Sequence, residues 1–173
     1  SGSGRLSFKS VTTTSANGLH SATQYDIDGD GIFDGSSQAD TVLNVDGSRS
    51  LTQRTSYANG DLRSNFQTEI SADGRETVEW QDYDGNGIAD KIIERRVLSD
   101  GSTVEAETAY NTGGMKGQVF TTVTSADGLE TTITRSGNEQ TISRSALNNG
   151  SYTWNNGVDI TLSGTGTGSS NSP

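Results

Sequence analysis

Apolar and polar residues alternate in short runs along this chain, and Asn-Gly or Asp-Gly turns punctuate the runs. Leu62, Ser64, Phe66, Thr68 and Ile70 take every second place, with Arg63, Asn65, Gln67 and Glu69 between them. Val78/Trp80, Val104/Ala106/Thr108/Tyr110 and Leu129/Thr131/Ile133 repeat the pattern. A period of two puts alternate side chains on opposite faces of a strand, here one modestly apolar and one wetted by Arg, Glu, Gln and Thr. No apolar stripe of helical period and useful length appears. Turn signals recur at 15–18, 45–48, 57–61, 71–74, 99–102, 111–114, 125–128, 136–138 and 147–150. Asn-Gly and Asp-Gly supply the positive φ that tight hairpin turns demand. The pattern predicts an all-β chain, an antiparallel β-meander of roughly ten to twelve hairpin-linked strands forming an elongated ribbon or a sandwich.

The runs are organised as repeats. "SANGLHSATQYDIDGDGIFD" at 15–34 aligns with "SADGRETVEWQDYDGNGIAD" at 71–90, and "SADGLETTITRSGNE" opens a third copy at 125. The third copy has Arg135-Ser136-Gly137-Asn138 where the aspartates of the others begin. The expected division is 1–10, a linker opening "SGSG" and entry to the first strand; 11–70, a first β-repeat with an acidic loop; 71–124, a second with its own; 125–162, a partial third without one; and 163–173, a Gly/Ser/Thr-rich tail.

Composition narrows the class. Hydrophobic residues make up 28% of the 173 positions, too few for a thick two-sided core. A thin β-structure whose order depends on a ligand fits that share better than a helical globule or a disordered chain. With 22 acidic residues against 12 basic and a net charge of −10, phosphate backbones and anionic membrane surfaces are disfavoured partners. Cations are the natural ones. No apolar run has transmembrane length. Cysteine is absent, so neither disulfides nor thiolate metal sites are available.

The charge concentrates in two loops of pattern D-x-D-x-[DN]-G-x-x-D. Carboxylates at the first, third and fifth places converge when the backbone curls, glycine at the sixth permits the sharp turn, the seventh offers its carbonyl, and the ninth closes the shell. These are Asp26, Asp28, Asp30, Gly31, Ile32 and Asp34 in the first loop, and Asp82, Asp84, Asn86, Gly87, Ile88 and Asp90 in the second. Hard oxygen donors favour calcium over zinc or copper, and flexible geometry favours it over magnesium. About two Ca2+ ions are expected. The helix-flanked EF-hand is excluded as context: its twelfth place holds Ser37 or Ile93, not glutamate, and both flanks read as strands. Asp40 and Glu94 are candidates to complete the shells. Asp46, Asp73, Asp100 and Asp127 read as turn residues.

The combination of "SADG", "DYDGNGIAD" and Thr-rich strands resembles tandem repeats of very large secreted bacterial calcium-binding proteins, the repeat-in-toxin and hemolysin-type adhesins. Their nonapeptide G-G-x-G-x-D-x-U-x is absent, which argues against a parallel β-roll. The resemblance implies a non-catalytic extender that leaves the cell unfolded and folds on meeting millimolar calcium outside. The loops are also similar to those of dockerins, thrombospondin type 3 repeats and integrin propeller blades, at the matching Asp and Asn positions alone.

Other constellations read as structural. His20 is the single histidine, without a second one to build a nucleophile–base pair. Glu76/Glu79 and Glu105/Glu107 fit solvated strand faces better than a glycosidase pair. Tyr152 and Trp154 in "SYTWNNG" are candidates for stacking a sugar, and they carry the alternative expectation, a calcium-dependent module that binds glycan or another surface. The leading expectation is a non-catalytic, extracellular, calcium-stabilised repeat of a bacterial surface, adhesin or matrix protein, partnered by neighbouring repeats or by copies of itself.

Overall fold

The computed structural model describes residues 7–135 in full and, beyond them, the backbone of three strands. The chain is all β. Its elements are β1 (Lys9–Thr14), β2 (His20–Asp26), β3 (Gly35–Leu43), β4 (Arg49–Tyr57), β5 (Leu62–Ile70), β6 (Glu76–Asp82), β7 (Lys91–Val97), β8 (Thr103–Tyr110), β9 (Lys116–Thr124), β10 (Glu130–Arg135), β11 (Gln140–Ser145), β12 (Tyr152–Asn155) and β13 (Asp159–Leu162). They lie side by side in chain order as one open antiparallel sheet. Each strand touches only its sequence neighbours, so of the two expected forms the chain takes the ribbon and not the sandwich.

The turns explain the repeat. Ser15, Ser71 and Ser125 each accept, through Oγ, the N–H of His20, Glu76 or Glu130 (3.0, 2.9 and 2.9 Å). The same hydroxyls donate to Asn17, Asp73 and Asp127 at 2.6, 2.7 and 2.6 Å. Serine, then Asn or Asp two places on, then glycine thus builds one four-residue turn three times over. In the shorter turns Asp46 and Asp100 take the hydroxyls of Ser48 and Ser102, both at 2.6 Å. The serine hydroxyl bond is the largest cause holding Asp46, Asp73, Asp100 and Asp127 below the usual carboxylate value. All four are turn residues, as expected. The turn signals at 136–138 and 147–150 lie outside the described residues.

Adjacent turns also stack. A Cβ placed on Gly47 would sit 3.4 Å from the Ala72 methyl, and one on Gly101 the same distance from that of Ala126. The alanine of each S-A-D-G turn therefore packs against the preceding turn on the same edge of the sheet, which fixes the alanine as well as the glycine.

Burial is thin, as a single layer requires. Ile93 is the only buried hydrophobic side chain among the described residues. Cross-strand contacts carry the faces instead. Arg95 on β7 bonds Glu105 on β8 (2.6 Å) and Glu79 on β6, and Lys91 meets Glu107 at 2.8 Å. Glu79 and Glu105 thus belong to an ion-pair belt, while Glu76 reaches Arg96 on the opposite face. Phe66 and Tyr83 meet edge to face at 5.6 Å. A register shift at Thr55/Ser56 pairs Leu62 with Ser56, which takes Leu62 out of step with the Ser64–Ile70 alternation.

Candidate metal centre

The acidic loops join β2 to β3 and β6 to β7, so each caps an antiparallel hairpin, the strand-flanked context expected. Each closes on the ladder by one bond, Asp34 N–H to Tyr25 O and Asp90 N–H to Gln81 O, both 2.8 Å. The first aspartate is the last residue of its strand, and its carboxylate organises the loop. Asp26 accepts the N–H of Gly29 (2.7 Å) and Gly31 (2.9 Å) on its two oxygens, and Asp82 accepts those of Gly85 and Gly87 at the same distances. Asp28 and Asp84 take the N–H two places on at 3.1 Å, as Asp30 and Asn86 take those of Ile32 and Ile88 at 2.7 Å. Asp34 and Asp90 reach back to the N–H of Ile27 and Tyr83 (2.6 and 2.7 Å). Two loops of different sequence make the same closing bond and the same five side-chain bonds.

That curl draws the carboxylates together. One oxygen each from Asp26, Asp28 and Asp34 lie within 4.8 Å of one another, and Asp82, Asp84 and Asp90 form the same triad. Either triad could hold a metal ion. The first aspartates are also the two least exposed side chains described, Asp26 at 0% and Asp82 at 4%. A carboxylate so enclosed is tolerated only with its charge compensated. The two backbone N–H groups supply part of that, and like-charged neighbours within 5 Å oppose it.

The residues fit a hard divalent cation. All donors are oxygens, and the one histidine stands far off. Among buried side-chain polar atoms described, one has no protein partner: Asn65 Oδ1, on the strand beside the second loop. Asn65 pairs with Asp82 across β5 and β6 and lines a cavity with it. The sequence pattern of the loop does not include this residue; the strand register reveals it.

Asp40 and Glu94, expected as late shell members, do not reach the loops. Asp40 pairs with His20, five ladder positions from the loop end at Tyr25–Gly35, a distance of about 17 Å along a strand. Glu94 stands three positions from Gln81–Lys91, about 10 Å away. Ser37 and Ile93 at the twelfth places lie within β3 and β7, and Ile93 is the buried hydrophobic. Tyr152 and Trp154 fall on β12, whose side chains lie outside the described residues.

Asp40 has a different role. His20 Nδ1 donates to its Oδ1 at 2.6 Å and Gln38 Nε2 to its Oδ2 at 2.9 Å. The His20 bond is the main cause holding the Asp40 carboxyl below its usual value. A depressed acid stabilises the fold above its unfolded pKa, about 3.9, and that contribution is lost as pH falls through the depressed value. His20→Ala is therefore expected to lower the melting temperature at about pH 6 and to lose its effect at a lower pH, once pH has fallen through the depressed value. A penalty that persists at the lower pH would show that the pair does not act through ionised Asp40.

No family model, curated protein or solved structure matches this chain.

Proposed function

We propose that this chain is a non-catalytic structural repeat of a secreted bacterial surface, adhesin or matrix protein, and that each acidic loop closes around one Ca2+. The observation that carries this reading is where burial goes. In a sheet with one buried hydrophobic side chain described, the deepest positions hold two carboxylates at corresponding places in two repeats. A fold without disulfides or a core gains most from ions that clamp hairpins shut. Calcium suits a flexible set of carboxylate and carbonyl oxygens, and it is plentiful outside cells. Two ions would bring the net charge from −10 to −6, since each adds two positive charges. The outer edge of β1, exposed at all six residues and unpaired among the described strands, offers a ladder to a neighbouring repeat or another copy.

The test is thermal melting by circular dichroism with millimolar calcium against chelator, and calorimetry for stoichiometry. Ligand at a hundredfold its dissociation constant stabilises by about 2.7 kcal/mol per site. Two sites give about 5 kcal/mol, and a melting temperature raised by roughly 10 °C or more. Two ions bound per chain are expected. An unchanged melting curve with no binding isotherm would overturn the reading.

A further inference from the structure

Asparagine followed by glycine readily loses its side-chain amide, because glycine has no Cβ to shield its nitrogen. Among the described residues the pair occurs as Asn17-Gly18, Asn59-Gly60 and Asn86-Gly87. In the reaction the glycine nitrogen attacks the asparagine side-chain carbonyl carbon. A new N–C bond forms, the C–Nδ2 bond breaks, and Nδ2 leaves as ammonia with the proton given up by the glycine nitrogen. Water then opens the cyclic imide at either carbonyl, leaving Asp or its β-linked isomer. The three pairs are held differently. Gly18 and Gly60 donate their N–H to backbone carbonyls, those of Ser15 and Tyr57, both at 2.9 Å. Gly87 donates to a side chain, Asp82 Oδ2, at 2.9 Å. The Asn86 amide is tethered at both ends: Oδ1 accepts the Ile88 N–H at 2.7 Å, and Nδ2 donates to Asp84 Oδ2 at 3.0 Å. Asn86 and Gly87 are exposed, and nothing lies within 4 Å of a Cβ placed on Gly87, so water reaches the pair.

We infer that Asn86 is a deamidation site guarded by the closure of its own loop, with Asp82 as the latch. Closing the imide ring turns both the Asn86 side chain and the peptide bond that follows it. That motion takes the Gly87 N–H off Asp82 and Asn86 Oδ1 off Ile88, so the loop must open before the ring forms. Gly18 and Gly60 have no such latch, since their bonds belong to the turn backbone itself. The product matters to the loop. The first loop carries Asp30 at the place of Asn86, so conversion to Asp gives the second the full pattern D-x-D-x-D-G-x-x-D. It also replaces the Asn86 bond to Asp84 with two like charges side by side. Opening of the second hairpin thus admits an irreversible step toward the charge of the first, and this stands apart from the calcium reading.

Peptide mapping by mass spectrometry, after incubation of the full chain at mildly alkaline pH in chelator throughout, tests this without reference to calcium. A synthetic peptide of residues 80–92 sets the rate of the open pair. In the folded chain Asn86 should convert about tenfold or more slowly than in that peptide, because local opening comes first. Asp82→Ala should raise Asn86 conversion about tenfold or more, as loss of a charge-assisted bond implies, and leave Asn17 and Asn59 at their wild-type rates. Those two asparagines report unfolding of the whole sheet, which would speed all three. Asp84→Ala keeps the latch but frees Nδ2, and it should give a smaller rise at Asn86 alone. An unconverted peptide, or a folded chain whose Asn86 converts as fast as the peptide, would overturn the inference. So would variants in which Asn86 is no faster than in the wild type, or in which all three asparagines speed up equally.

Discussion

Asp82→Ala is expected to destabilise the chain by about 3 kcal/mol even under chelator, because two charge-assisted hydrogen bonds of about 1.5–3 kcal/mol each are lost together. Asp82 is 4% exposed, and its oxygens hold the Gly85 and Gly87 N–H at 2.7 and 2.9 Å. Alanine leaves both donors without that partner and removes the group that turns the loop back on itself. Asp84→Ala is the informative companion. Asp84 is exposed and takes the backbone N–H of Asn86 at 3.1 Å. It should therefore melt like the wild type under chelator and lose stability relative to it only when calcium is present. Urea unfolding of both variants in chelator and in calcium separates the loop's own architecture from the effect of added calcium. If Asp82→Ala unfolds like the wild type under chelator, the buried carboxylate does not organise the hairpin.

Much of this fold can be read from the chain because its rules are local. S-A-[ND]-G marks a turn, since the serine and the Asn or Asp close it within five residues, and alternation marks the strands between. The loops are legible for the same reason: their side-chain bonds run over two to seven residues, and the pattern of Asp and Gly encodes them. What escapes is whatever depends on pairing. Asp40 and Glu94 look close to the loops in sequence, but a strand travels about 3.3 Å per residue and carries them off. Asn65 and Lys9 look remote, 17 residues from Asp82 and from Asp26, yet the four-residue turns between them fix the register that sets each opposite an aspartate. The choice between ribbon and sandwich is equally hidden, because one modestly apolar face suits either until packing is known. In the ribbon, Arg95 with Glu79 and Glu105 occupies a face that a sandwich would have had to cover.

Gly85→Ala is expected to be among the most damaging single substitutions in the second repeat, for a reason separate from charge. Gly85 sits at φ +73, and a Cβ built there would lie 2.2 Å from the Leu62 carbonyl oxygen and 2.6 Å from its carbon. Those atoms belong to the backbone at the start of β5, which cannot swing aside as a side-chain tip would. The second loop therefore rests directly on the neighbouring strand, which helps to enclose Asp82. Overpacking costs about 1–3 kcal/mol, and the left-handed conformation adds about 1–2 kcal/mol for a residue with a Cβ. The two together come to about 3 kcal/mol or more, along with a loosened Asp82 triad, since Gly85 N–H is one of the two donors to Asp82. Gly87→Ala is the control. It has a comparable φ of +84, but nothing lies within 4 Å of its added Cβ. It should lose only the conformational part, about 1–2 kcal/mol. Denaturant melts of the two variants under chelator measure the difference directly. Equal losses would mean that the loop does not lie against Leu62, and that the enclosure of Asp82 has another source.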